Sequence, residues 1–103
     1  MILHGVIIQA HAQISNHVIL NTGARVDHDC KIEEFVHIAP GVVLCGRVKI
    51  GEGAFVGAGS VVLPGINIGA WATIGAGSVV TRNVNDEDIV FGNPARTYKR
   101  KQQ

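Results

Sequence analysis

Residues 42–62 read VVLCGRVKIGEGAFVGAGSVV, and a six-residue ruler orders the whole stretch. Leu44, Ile50, Val56 and Val62 stand six apart, each preceded two residues earlier by a small or β-branched residue (Val42, Val48, Ala54, Ser60). Carried outward, the ruler meets Ile2, Ile8, Ile14, Leu20, Val26, Ile32 and Ile38 upstream and Ile68, Ile74 and Val80 downstream. The fourteen members are all Ile, Leu or Val, although those types fill only 30 of 103 positions. The next step lands on Asp86, where the repeat ends. The companion column runs from Val6 to Val84 and carries Ala12, Ala24, Cys30 and Ser78 among its members.

A period of six keeps no stripe on an α-helix, and the runs are too short for plain hairpins. Two inward residues flanking one outward residue define a short strand. The other three positions make a turn, and eleven of the thirteen glycines fall in two of the turn columns. Left-handed backbone or close coil stacking explains that concentration. The pattern predicts an all-β chain, a parallel β-helix of triangular section with three hexads per coil and about 4–5 coils. The expected division is a β-helix over 1–84 and a C-terminal extension over 85–103, which holds Gly92-Asn93-Pro94-Ala95-Arg96 and a basic tail (Arg96, Lys99, Arg100, Lys101).

Composition narrows the function. A net charge of +1 with 17% charged residues argues against bulk electrostatic nucleic-acid binding. A 47% hydrophobic content argues against disorder. No apolar run approaches the ~18–20 residues of a membrane span. The first residues, MILHGVIIQAH, show no basic leader or cleavage site. Cys30 and Cys45 form no disulfide framework and no zinc spacing, so a reducing, cytoplasmic setting is expected.

The outward strand residues form three columns. Two are largely apolar: Ile7, Arg25, Val43, Val61, Val79 and Ile19, His37, Phe55, Thr73. The third, Gln13, Lys31, Lys49, Asn67, is polar and solvated. Two apolar faces and one wet face fit a closed three-fold oligomer.

Three pieces carry a family resemblance: Ile19-Leu20-Asn21-Thr22, Asp27-His28-Asp29-Cys30 and Gly92-Asn93-Pro94-Ala95. With them, residues 6–97 resemble the hexapeptide-repeat acyltransferases, most closely the sialic acid O-acetyltransferase and nucleotide-sugar N-acetyltransferase branch. The most specific feature is the His28-Asp29 pair followed nine residues later by His37. The resemblance implies a left-handed β-helix, a homotrimer, acetyl-CoA as co-substrate with no metal, and a sugar or nucleotide-sugar acceptor. It implies His28 as catalytic base and Asp29, where relatives often carry Glu, as the acid that raises its proton affinity. His37 matches a histidine contacting acetyl-CoA and the acceptor. Gly46 matches a backbone amide near the thioester carbonyl, Ala58 and Ala76 match positions lining the CoA arm, and Asn21 matches an acceptor-side polar group. Such relatives usually begin with a separate acceptor-binding domain, whereas this sequence starts inside the first coil. A catalytic β-helix half is therefore expected.

The residue types fit that chemistry. A turn histidine pointing away from the apolar core can take a proton from an amine or hydroxyl near neutrality, and an adjacent carboxylate can fix its tautomer. The plainer reading is a surface turn histidine. His28 and His37 are half a coil apart, hence on opposite sides of one subunit, which predicts a site shared between neighbouring chains. A bare Gly46 amide can approach an oxyanion or simply make a tight turn. Cys30 is expected as core filler and Cys45 as inert. The basic tail can meet phosphates or be solvated. His4, His11 and His17 are expected at the surface, and Trp71 under the C-terminal segment or a neighbour. Two other readings stand beside the acyltransferase. One is a non-catalytic β-helix scaffold. The other is a γ-carbonic-anhydrase-like zinc protein, for which the partner histidine five residues before His28 is replaced by Gly23.

Overall fold

The computed structural model describes residues 1–100; Lys101 of the basic tail lies outside the described residues. Thirteen two-residue strands follow one another at six-residue spacing: β1 (Ile7–Ile8), β2 (Gln13–Ile14), β3 (Ile19–Leu20), β4 (Arg25–Val26), β5 (Lys31–Ile32), β6 (His37–Ile38), β7 (Val43–Leu44), β8 (Lys49–Ile50), β9 (Phe55–Val56), β10 (Val61–Val62), β11 (Asn67–Ile68), β12 (Thr73–Ile74) and β13 (Val79–Val80). Two longer strands close the chain, β14 (Asp88–Gly92) and β15 (Ala95–Arg100). No helix among the described residues is long and apolar enough to cross a membrane.

Every third strand pairs in parallel, in a register that shifts by one coil: Ile7 faces Arg25, Arg25 faces Val43, and Val43 faces Val61. Three sheets result. Face 1 is β1-β4-β7-β10-β13, face 2 is β2-β5-β8-β11, and face 3 is β3-β6-β9-β12 followed by β14 and β15. The chain is a parallel β-helix of about five turns, consistent with the left-handed winding implied by the resemblance.

The spine of the hexad ruler is the core. Leu20, Val26, Ile32, Ile38, Leu44, Ile50, Val56, Val62 and Ile74 are fully buried. Each contributes about 1.5–3 kcal/mol of burial free energy. At the base of the prism the column opens to solvent, with Ile2 57% and Ile8 39% exposed. Of the outward columns, Lys31 and Lys49 on face 2 are exposed, whereas Val43, Val61 and Val79 on face 1 are half-buried.

Turn geometry explains the glycines. The third turn position is left-handed in every hexad from residue 5 to residue 77. Seven of those positions are glycine; the others are His11, His17, Asp29, Phe35, Arg47 and Trp71, with φ between 59° and 63°. The first turn position has a different requirement. A Cβ on Gly51 would stand 2.6 Å from the Ala70 nitrogen, and one on Gly57 2.6 Å from the Ala76 nitrogen, so consecutive coils pass backbone against backbone there.

One column assignment changes. The hexad ruler puts Val84 in the companion column, but Val84 bridges to Ile68, and Val90 faces Ile74. Both belong to the spine. The turn after Val80 is two residues shorter than the others, so the ruler overshoots to Asp86. Side chains bond backbone donors at this break, and the first of the two bonds replaces a rung of the ladder. Asn83 Oδ1 accepts the Asn67 N–H at 2.8 Å, and Asp86 Oδ1 accepts the Ala70 N–H at 2.8 Å. Beyond the break β14 lies parallel to β12, and β15 folds back antiparallel on β14.

Candidate active site

The corner between faces 1 and 2 carries the turn Asp27-His28-Asp29, which joins β4 to β5. Asp27 Oδ1 accepts the His28 N–H at 3.0 Å and fixes the turn. Asp29 takes the left-handed position with φ 59°, where a short polar side chain costs less than a long one. From there its Oδ2 lies 3.2 Å from His28 Nδ1. Both side chains are about half exposed, 50% and 53%. A pair so wet adds little stability, and its use is orientation. In the tautomer that donates Nδ1–H to Asp29, the lone pair sits on Nε2 and can take a proton.

One coil further on, the same corner holds Gly46. The His28 ring lies over it: a Cβ there would stand 2.6 Å from both Cε1 and Nε2. The Gly46 N–H takes no part in the coil-to-coil ladder, and neither do the N–H groups of Ala58 and Ala76 in the same turn column. Ala58 and Ala76 are exposed at their corner, whereas Gly46 is buried beneath the His28 ring.

The remaining candidates lie elsewhere. His37 projects from β6 on face 3, across the prism from the His28 corner. Asn21, Ala58 and Ala76 line the corner between faces 3 and 1, and Asn21 Oδ1 already accepts the Thr22 N–H at 2.7 Å. One chain thus gathers His28, Asp29 and Gly46, and keeps His37, Asn21, Ala58 and Ala76 apart from them. A partly open pocket of about 90 Å³ lies at the C-terminal end between Val80, Arg82, Val84, Val90 and Arg96, well removed from His28.

Two contributors escaped the sequence reading. Phe55, one coil beyond His37 in the same outward column, meets its ring edge-on with centroids 5.1 Å apart. Asp27 caps the His28 turn. The outward column pairs residues one coil apart, so Phe55 was findable from spacing alone; the cap was not. The Trp71 ring folds back over Gly53, and the residue is 48% exposed. His17 is exposed and stacks on Phe35 at 5.1 Å.

Neither cysteine is set up as a nucleophile. Cys30 is buried and donates its thiol to the Cys45 carbonyl at 3.1 Å. Burial pushes both thiols above their ordinary pKa, which keeps them neutral near pH 7. Among the described residues no three His, Cys, Asp or Glu side chains converge on a common metal position.

Residues 47–82 match the family model described as bacterial transferase hexapeptide (six repeats). Those residues carry the hexapeptide repeat. Among solved structures the chain is similar to the perosamine N-acetyltransferase of Caulobacter crescentus, determined in complex with CoA and GDP-perosamine. Identity is 44% and the TM-score 0.90, over 90% of this chain and 44% of that one. The acetyltransferase domain of PglB from Neisseria gonorrhoeae, in complex with acetyl coenzyme A, is 34% identical with a TM-score of 0.75, over 93% of this chain and 53% of that one. The serine acetyltransferase of Neisseria gonorrhoeae is 32% identical with a TM-score of 0.87, over 96% of this chain and 42% of that one. The chain therefore spans about half the length of these relatives, or less.

Proposed function

We propose that this chain is the catalytic β-helix of an acetyl-CoA-dependent acyltransferase acting on an amine or hydroxyl of a sugar or nucleotide sugar. The observation that carries the reading is the His28–Asp29 pair, with Nε2 left as the proton acceptor beside an unengaged Gly46 amide. The relatives crystallised with CoA, acetyl-CoA or GDP-perosamine support the substrate classes.

His28 Nε2 takes the proton of the attacking amine or hydroxyl, and the imidazolium returns it to the departing sulfur. Asp29 stabilises that imidazolium. The Gly46 N–H hydrogen-bonds the carbonyl oxygen as it gains charge, a contribution that grows toward the transition state. Ala58 and Ala76 offer further amides to the CoA arm. Transfer is direct, because both thiols are held neutral, Cys30 buried and Cys45 half-buried, and no other activated nucleophile stands beside His28. Acetyl-CoA is a co-substrate here.

His37 and Asn21 complete the site on the acceptor side from a neighbouring chain. The support is their separation from His28 within one chain, together with the apolar outward columns of faces 1 and 3, which suit a homotrimer. Two free thiols and a CoA co-substrate go with a cytoplasmic location.

The test is release of free CoA thiol from acetyl-CoA by the purified protein, offered a panel of amino sugars and nucleotide sugars. His28→Ala is expected to lower kcat by about 10²–10⁴-fold. Mixing His28→Ala with His37→Ala chains is expected to restore part of the activity. Full turnover by His28→Ala refutes the base assignment, and no restoration on mixing refutes the shared site.

A further inference from the structure

We propose that Gly46 is a positioning residue whose missing side chain is the seat for the His28 imidazole, holding the ring with Nδ1 turned to Asp29. The catalytic consequence rests on the acetyl-transfer reading above; the packing consequence does not.

The backbone gives no reason for glycine at this position. Gly46 is not among the left-handed residues. Its turn column carries Asn16, Glu34, Pro40, Glu52 and Pro64 in other coils, so the position accepts bulk elsewhere. Gly51 and Gly57 exclude a Cβ because the next coil's backbone occupies the space. At Gly46 the three nearest atoms to such a Cβ all belong to the His28 ring: Cε1 and Nε2 at 2.6 Å and Cδ2 at 3.3 Å. Glycine is needed there for the ring alone.

The ring has little tolerance for displacement. Its contact with Asp29 at 3.2 Å is already long for a hydrogen bond. A Cβ at 2.6 Å must move the imidazole by the better part of an ångström, which breaks that contact and turns Nε2 away from its present direction. The ring is half exposed, so it can swing out without disturbing the core.

Gly46→Ala separates this role from that of the amide, because alanine keeps the N–H. The expected result is a folded protein in which the side-chain nitrogen resonances of His28 change tautomer pattern. kcat falls about 100-fold, the cost of misplacing a catalytic group by roughly 1 Å, while KM for acetyl-CoA changes little. In a His28→Ala background, Gly46→Ala is expected to cost no stability, as read by the urea midpoint. Unchanged His28 resonances in Gly46→Ala overturn the proposal, even if activity falls. So does a loss of stability of the same size with and without the ring, including failure of the double variant to fold. If the resonances and the stability cycle behave as expected but the wild type releases no thiol, the acetyl-transfer reading fails and the seat stands.

Discussion

Gly57→Ala and Gly59→Ala alter two glycines of one turn, on either side of Ala58, and they are expected to destabilise for different reasons. A Cβ at 57 would stand 2.6 Å from the Ala76 nitrogen, 2.7 Å from the Ile74 oxygen and 2.9 Å from the Ala76 Cα. All three are backbone atoms of the next coil, and the Gly57 N–H is bonded to that same Ile74 oxygen at 2.8 Å. Relief requires two coils to part, so the loss belongs in the upper half of the usual overpacking range, about 2–3 kcal/mol. Gly59 has φ +71° and nothing within 4 Å of its Cβ position. Its alanine variant meets only the left-handed backbone penalty, about 1–2 kcal/mol. Asparagine tolerates that conformation, so Gly59→Asn recovers most of the loss, whereas Gly57→Asn recovers none. In a domain of this size each kcal/mol moves Tm by roughly 4–8 °C. The four variants are compared by circular dichroism at one protomer concentration, because assembly would make Tm concentration-dependent. Rescue by asparagine at 57 as complete as at 59, or a Gly57→Ala variant as stable as the wild type, refutes the assignment of one glycine to contact and the other to conformation.

Three further outcomes are expected. Ile38→Ala removes a fully buried spine side chain and lowers the unfolding free energy by about 2–5 kcal/mol, read as a lower urea midpoint with an unchanged slope. Phe55→Ala removes the edge contact to His37; the His37 ring protons lose their ring-current shift, and KM for the acceptor rises more than kcat falls. Cys30 has its thiol pKa raised on folding, chiefly by burial, so its contribution to stability is full below the unfolded value of 9.0 and is lost as pH rises from there through the folded value. Urea midpoints of wild type and Cys30→Ala, taken on both sides of that pH, are expected to show the steeper alkaline loss in the wild type.

The hexad spine made the fold legible because burial acts on every sixth residue alike, and from Leu20 to Val80 the sequence and the structure agree position by position. Legibility failed where the period itself changes. A turn shortened by two residues moved Val84 and Val90 onto the spine, and a fixed ruler has no means of detecting a deletion inside a turn. Glycine clustering pointed to the left-handed column, but His11, His17, Asp29, Phe35, Arg47 and Trp71 adopt the same conformation without advertising it. The coils above and below impose it on them. At the candidate site, His28 and Asp29 stood out as adjacent chemistry. The ring over Gly46 and the Phe55 edge against His37 are contacts across one coil, set by the eighteen-residue step rather than by the hexad.

A stack of short parallel strands presents a bare ladder at each end, which invites another polypeptide to continue it. On face 3 the last rung, β14, does not meet solvent on its outer side, because β15 runs back along it in the opposite direction. An incoming copy would find one of three edges occupied by a strand of the wrong polarity. End-to-end growth into a fibril needs all three edges to be matched at once, so a single reversed strand protects that end of the prism against templated polymerisation.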